Sequence, residues 1–258
     1  MKRPADDIRP ISDLFAAAFE ANDDAAWGAI AALQWRGSKE VLDRAVALTR
    51  SNDPTSRGRG ADVLGQLGLP ERTFPQESFS AVLPLLEDEE VTVIRAAIYA
   101  LAHVDRERAA SHIIPFADHD DEDIRYAVAF GLCAVDTPEA EGVLLRLMSD
   151  RDADVRNWAT FGIARQSGAD TDQVREALAA ALSDDDVDVR YESIIGLGVR
   201  RDSRAVTYLK VLLHEDPDDI FAREAAANLL GLGEDGQVTT AELLGALQRL
   251  QRWSGGSG

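Results

Sequence analysis

The side chains able to do chemistry in this sequence are one cysteine, four histidines and two strongly acidic loops. Cys133 falls in an apolar helical pattern, which is typical of a small buried thiol and not of a nucleophile. The histidines match no zinc-binding spacing such as HExxH; they are His103, His112, His119 and His214. The acidic loops at 118–123 and 184–188 lack the glycine and terminal glutamate of an EF-hand loop. We therefore expect no enzymatic activity, no metal site and no cofactor.

The charge of the chain excludes further classes of function. It has 46 acidic and 27 basic residues, which give a formal net charge of −19 at pH 7. Because this charge repels nucleic-acid phosphates and anionic lipids, we expect neither nucleic-acid nor membrane partners. The sequence has no apolar run long enough to span a bilayer and no signal peptide, so it predicts a cytoplasmic protein.

A helical pattern recurs along the chain and positions these side chains. Each copy reads Asp, any residue, Asp, an aliphatic residue and Arg, followed by an apolar helix, at 121–135, 152–166 and 186–200. The arginines of the series are separated by 31, 34 and 33 residues and are Arg125, Arg156, Arg190 and Arg223. Weaker copies contain Arg57 and Arg95. A period of this length predicts a stack of similar structural units.

A second helical pattern lies between these copies. At 137–150, Thr137 is placed to cap a helix and Pro138 suits its first turn. Each unit is thus predicted to be a helical hairpin, and the chain a single all-α solenoid of about seven pairs. The predicted pairs are 10–36, 38–68, 75–104, 105–135, 137–167, 170–200 and 203–233, followed by a capping helix at 239–253 and a flexible tail at 254–258.

The repeated openings, as in DVRNWATFGIA and DVRYESIIGLG, resemble HEAT repeats of the bacterial kind also called PBS-lyase HEAT-like repeats. The resemblance covers nearly the whole chain and implies an α-solenoid whose second helices line a concave groove. It also implies that Arg125, Arg156, Arg190 and Arg223 lie between adjacent repeats and pair with carboxylates of the neighbouring turn. For function the resemblance is broad, because such repeats occur in scaffolds, cofactor-attachment factors and DNA-repair enzymes.

Other residues of the motif have predicted structural roles. The second aspartate of each opening is placed to cap the second helix, and its charge suits the positive helix end; these residues are Asp123, Asp154 and Asp188. Small residues on the same helices let paired helices approach closely, at a helix-propensity cost of roughly 1 kcal/mol each; they are Gly131, Gly162 and Gly196.

A projection of the second helices at about 100° per residue identifies a candidate binding surface. Positions one and five residues after the repeat arginine, or after Ile94 where that arginine is displaced, point away from the core. The predicted partner-binding residues at these positions are Arg95, Tyr99, Tyr126, Phe130, Asn157, Phe161, Tyr191, Ile195, Glu224 and Asn228. Exposed aromatic side chains are typical of an interface. The alternative is a small error of register that buries some of these rings between repeats.

The sequence therefore favours a non-catalytic protein–protein interaction module, such as a scaffold, an adaptor or an inhibitor. We expect a monomer or weak oligomer whose groove binds a protein or peptide with a basic surface, with the acidic turns steering it. The alternative is a phycobilin-lyase-like factor that handles a cofactor, although the sequence offers no assignable acid, base or nucleophile for it. A DNA glycosylase of similar fold would need a basic groove, and the acidic turns argue against one.

Overall fold

A computed structural model describes residues 4–20, 23–232 and 238–254, and within these ranges it contains helices and no strand. The predicted all-α fold class is therefore confirmed. Apart from Ser254, the predicted flexible tail at 254–258 lies outside the described residues. The chain divides into two compact units, Met1–Leu132 and Cys133–Gly258.

The first unit consists of helical hairpins that follow one another along the chain. Its helices are α1 (Ile11–Ala17), α2 (Asp23–Arg36), α3 (Lys39–Leu48), α4 (Pro54–Gly65), α5 (Pro75–Val82), α6 (Val91–Val104), α7 (Arg106–Ile113) and α8 (Glu122–Leu132). Each odd-numbered helix packs on the next, and the second helices α2, α4, α6 and α8 also pack on one another in that order. Large buried side chains such as Leu33, Leu64 and Leu101 fill the space between the helices.

The second unit repeats this arrangement and ends with a capping helix. Its helices are α9 (Pro138–Leu147), α10 (Ala153–Phe161), α11 (Asp172–Ala181), α12 (Val187–Val199), α13 (Val206–Glu215), α14 (Ile220–Leu230) and α15 (Thr240–Ser254). A π-helical turn, Gly162–Gln166, follows α10 directly. Helix α15 packs on α13 and α14 through the buried Leu243 and Leu247, so it covers the last hairpin.

Helix starts in both units are capped by side chains that precede the helix. Thr137 caps α9 and Pro138 begins it, as predicted. The second helices are capped by the first aspartate of each opening: Asp152 accepts a hydrogen bond from Val155 N at 3.1 Å and Asp186 one from Val189 N at 3.0 Å. The predicted capping by Asp123, Asp154 and Asp188 is therefore wrong. These residues lie in the first helical turn, where a cap geometry is no longer possible but a negative charge still suits the helix dipole.

The repeat arginines lie between turns but do not share one kind of partner. Arg57 donates to both carboxylate oxygens of Asp88, at 2.6 and 2.8 Å, and Arg156 to both of Asp184, at 2.7 and 2.8 Å. Arg125 is 4% exposed and donates to the carbonyls of His119 and Asp120.

Two repeat arginines depart from the predicted pairing with the next turn. Arg190 donates to the carbonyls of Asp184 and Asp185 and has no carboxylate partner among the described residues. The next turn's Asp219 is already bound by the Tyr191 hydroxyl. Arg223 donates to Thr240 Oγ1 at 2.9 Å, because the capping helix replaces the next repeat there.

The motif glycines lie where helices approach closely. A methyl group at Gly131 would lie 2.5 Å from Ile113 Cδ1, and one at Gly196 would lie 2.8 Å from Ala164 Cβ. Both distances are too short for two carbon atoms, so these positions admit no larger residue without a shift of the backbone or neighbour. The predicted burial of Cys133 is also confirmed, at 5% exposure.

Candidate functional site

In the first unit, the predicted site residues form one cluster of rings on α6 and α8. Tyr99 and Phe130 are half-buried, with ring centroids 5.1 Å apart in an edge-to-face arrangement. The His103 ring lies 5.3 Å from Phe130, and the Arg106 guanidinium lies 5.0 Å above that ring. Tyr126 is half-buried on α8 and is close enough to Tyr99 to affect the titration of that hydroxyl. We call Tyr99, His103, Arg106, Tyr126 and Phe130 the ring cluster.

Burial determines the protonation of the ring cluster. It raises the pKa of Tyr99. It also lowers the pKa of His103 to about 4, and the positive charges of Arg72 and Arg106 lower it further. The remaining predicted residue of this unit, Arg95, forms an ion pair with Asp123. At neutral pH the cluster therefore presents uncharged rings beside one arginine.

In the second unit, the predicted site residues differ in exposure. Asn157, Phe161, Tyr191 and Asn228 are half-buried and Glu224 is exposed. Ile195 is 3% exposed, so its predicted place on a solvent-facing surface is wrong. Helix α12 packs against α10, α14 and the π-turn. These neighbours cover part of the helix surface that the projection of an isolated helix predicts to be exposed. No hydrogen bond or ring contact joins Glu224 or Asn228 to the other predicted site residues in the described part of the chain.

The centre of this second site is an arginine that the sequence pattern did not identify. Arg165 Nε lies 2.5 Å from Glu192 Oε2, and Arg165 Nη2 lies 2.9 Å from Glu192 Oε1. The guanidinium carbon is 4.0 Å from the ring centroid of Phe221, 5.5 Å from that of Tyr191 and 5.7 Å from that of Phe161. We call Phe161, Arg165, Tyr191, Glu192 and Phe221 the arginine cage.

The π-turn places Arg165 in the cage, and Arg200 at the end of α12 holds that turn. Arg200 is 7% exposed and donates to the carbonyls of Ile163 at 2.6 Å and Ala164 at 3.0 Å. It also donates to the carbonyls of Ser167 and Ala169, which follow the turn. Burial lowers the pKa of Arg200 from its usual value. One buried guanidinium thus satisfies the carbonyls that a widened helix end leaves without partners.

A second hydrogen-bonded pair fixes the orientation of Tyr191. Its hydroxyl donates to Asp219, 3.0 Å from each carboxylate oxygen, and Asp219 in turn caps α14 at Phe221 N and Ala222 N. Burial, reinforced by the hydrogen bond to Asp219, raises the pKa of Tyr191 to about 12. Burial also raises the pKa of the Glu192 carboxyl, against the effect of Arg165. The cage is therefore a rigid, partly dry environment for one cation.

The arrangement is suited to recognition of a planar cation. Aromatic faces and a bidentate carboxylate are the groups that bind a guanidinium in proteins. The signal that sequence analysis missed is the apolar pair Ile220-Phe221 in the first turn of α14, where the other repeats have smaller or acidic residues. The described residues include no group of three or more His, Cys, Asp or Glu side chains that could hold a metal ion. In the same part of the chain, no helix has both the length and the apolar content to cross a membrane.

Comparisons with known proteins agree with this architecture. Residues 141–230 match the model for HEAT repeats. A crystal structure of Escherichia coli YibA is similar over 95% of this chain and 93% of that chain, with 24% sequence identity and a TM-score of 0.74. The complex of CpcE and CpcF of phycocyanin lyase from Nostoc sp. PCC7120 matches over 95% and 96%, with 15% identity and a TM-score of 0.52.

An engineered protein matches over 81% of this chain and 96% of its own, with 16% identity and a TM-score of 0.53. A comparison with curated protein sequences gives no significant match. The predicted α-solenoid of HEAT-like hairpins is confirmed as the fold class. Residues 141–230 therefore resemble HEAT repeats in sequence, and the chain as a whole has the fold of an α-helical repeat protein.

Proposed function

We propose that this protein is a non-catalytic protein-interaction module that binds a basic partner through the outward faces of its second helices. The observation that carries the proposal is a partly exposed aromatic site in each unit, the ring cluster on α6 and α8 and the arginine cage on α10, α12 and α14. Aromatic side chains in such positions are enriched at interfaces and provide most of the affinity there. A solenoid of helical repeats is also compatible with a protein-binding scaffold.

Exposed carboxylates at the starts of the second helices support a basic partner. They lie in the turns and first residues of the second helices and, within the described residues, form no ion pair; they are Glu89, Glu90, Glu122, Asp154, Asp185, Asp188 and Asp218. Together with the net charge of −19, they attract a positively charged surface and speed its association.

The fold also supports binding to another protein. The phycocyanin lyase structure that resembles this chain is a complex of two proteins, CpcE and CpcF. Within each unit, the second helices pack side by side, which suits a partner that contacts more than one repeat.

The proposal is tested by capture of a partner from a lysate of the source organism on the immobilised protein. We expect a basic protein to be retained at low salt and released at moderate salt, since screening weakens charge attraction. A double variant, Tyr126→Ala with Phe161→Ala, removes one ring from each aromatic site and should reduce retention at least about tenfold. Tyr208→Ala on α13 is the matched control, because it removes an exposed ring from a first helix. Equal retention by all three proteins would contradict the proposed surface.

The likeness to phycocyanin lyase favours one second candidate, a factor that handles a bilin chromophore. Incubation of the protein with a bilin, followed by gel filtration, tests this candidate directly. Co-elution of the chromophore with a shifted absorption band would replace the protein-binding proposal, whereas elution of the bilin at the small-molecule volume would eliminate the candidate.

A further inference from the structure

The arginine cage holds a complete set of contacts for one guanidinium. Glu192 supplies both carboxylate oxygens, and the Phe221 ring lies 4.0 Å from the guanidinium carbon. A lysine ammonium would not match this set, because it is a compact charge that cannot form two parallel hydrogen bonds or stack on a ring. The geometry therefore favours arginine over lysine.

The surroundings of the cage are open and are both apolar and acidic. Phe221 is 42% exposed, and its neighbour Ile220 is 69% exposed. Val187, at the equivalent position of the preceding repeat, is 63% exposed. The exposed carboxylates of Asp188 and Asp218 lie one and two residues from these apolar side chains. Such a surface fits the long apolar stem and the charged head of an arginine side chain.

We propose that the arginine cage is a binding site for an arginine side chain of the partner, and that Arg165 occupies it in the free protein as an internal competitor. The inference rests on the proposed function and names the chemistry of the partner: a basic segment that contains arginine. On binding, the partner's guanidinium takes the place of Arg165 between Glu192 and Phe221.

The exchange requires only rotation of one side chain. Arg200 holds the carbonyls of the π-turn, so the backbone of Arg165 stays in place while its side chain swings into solvent. Glu192 is largely buried, and a buried carboxylate without a cation is strongly unfavourable. Glu192 must therefore keep a guanidinium partner, so Arg165 and the arginine of the binding partner compete for the same site.

Arg165→Ala removes the internal competitor and is the first test. The probe is a fluorescein-labelled peptide of alternating Gly and Arg, compared with the same peptide carrying Lys, and binding is measured by fluorescence anisotropy. We expect Arg165→Ala to bind the Arg peptide at least about fivefold more tightly than the unmodified protein, because the peptide no longer has to displace an internal guanidinium from Glu192. The Lys peptide should gain less than about twofold. Arg249→Ala, which removes an exposed arginine of α15, is the control for the change in net charge and should leave both affinities unchanged.

The possible results separate this inference from the proposed function. If Arg165→Ala binds the Arg peptide more weakly than the unmodified protein, or with the same affinity as Arg249→Ala, then Arg165 does not compete with the peptide. In that case, salt-sensitive binding by the unmodified protein would still support a basic partner. If no protein binds either peptide, both the inference and the basic partner are wrong.

A second measurement keeps the inference falsifiable if Arg165→Ala disturbs the fold. The Nε–H signal of Arg165 in a ¹⁵N NMR spectrum is assigned through its loss in Arg165→Lys. At saturating Arg peptide we expect this signal to move to the position of a solvated arginine. A signal that stays at its original position would show that Arg165 never leaves the cage, and would overturn the proposal.

Discussion

The ring cluster of the first unit and the arginine cage of the second occupy equivalent positions of the repeat but are built differently. Tyr99 and Phe130 are in direct ring contact. Phe161, at the position of Tyr99, and Tyr191, at the position of Tyr126, share no ring contact within the described residues, because both rings face the guanidinium of Arg165. The two sites therefore differ most in Arg165, which enters from a π-turn where the first unit has His103 at the equivalent position.

The difference has an electrostatic consequence. Burial keeps His103 neutral at pH 7, so the imidazole contributes no charge to the ring cluster. The cage instead retains a charged pair, Arg165 and Glu192, on a partly exposed surface. The first unit therefore offers neutral rings to a partner, and the second offers a site already matched to a cation.

Substitution of Arg200 should release the π-turn and so remove the contrast between the cage and the ring cluster. We expect it to cause the largest loss of stability. Arg200→Met leaves several buried carbonyls of the π-turn and its loop without donors, and we expect the free energy of unfolding of the second unit to fall by about 3 kcal/mol. Urea unfolding with hydrogen exchange assigns the loss to this unit. Arg201→Met, at the exposed neighbouring position, is the control and should change stability by less than about 0.5 kcal/mol. A loss of similar size in both variants would argue against a special role for Arg200.

Mild acid should destabilise the first unit more than the second. Because the pKa of His103 is about 4 in the folded state and near 6.5 when unfolded, its contribution is complete above pH 6.5 and is lost as the pH falls toward 4. We expect a loss of about 1–2 kcal/mol by pH 4.5, reduced by partial exposure of the ring. Urea midpoints at pH 7, 5.5 and 4.5 measure it. His103→Gln should flatten this slope and His214→Gln, at an exposed position, should not; identical slopes would refute the assignment.

Double-mutant cycles compare the two aromatic pairs directly. Tyr99→Leu combined with Phe130→Leu should give a coupling energy of about 1 kcal/mol, as for an edge-to-face ring pair. Phe161→Leu combined with Tyr191→Leu should give less than half of that value, because these rings interact only through Arg165. Equal couplings, measured by urea unfolding, would show that the rings are in direct contact in both units.

The two matched ion pairs, Arg57 with Asp88 and Arg156 with Asp184, should behave alike and give the smallest effect. Hydrogen bonds from Arg57 and Arg156 lower the pKa of Asp88 and Asp184, respectively. Each carboxylate therefore stabilises the fold above its usual pKa near 4, and this contribution is lost as the pH falls through the lowered value. Asp88→Asn and Asp184→Asn should each cost roughly 1 kcal/mol or less at pH 7, and this cost should shrink as the pH falls through the lowered pKa of the aspartate. A loss of unfolding free energy in only one of the two variants would show that the two ion pairs are not equivalent.

The architecture was predictable from the sequence because it rests on local signals. The Asp-x-Asp-aliphatic-Arg openings and the Thr137–Pro138 helix start each act within one or two turns of helix. The N-cap of α10 is Asp152, two residues before the predicted Asp154. The sequence pattern does not show where the extended backbone ends and the helix begins. Ile195 was misplaced for a different reason, since its burial depends on neighbouring helices.

The sequence by itself determined the period, the helical hairpins, the acidic turns and the positions of most of the aromatic side chains. Only the tertiary structure decided that Arg165 lies between Phe161, Tyr191 and Phe221, and that Arg200 holds the turn from which it enters. The physical reason is the separation in sequence between the residues that interact. A helix is selected by interactions between residues three or four positions apart, whereas the cage joins side chains from three helices of successive repeats, about 30 to 60 residues apart in the chain.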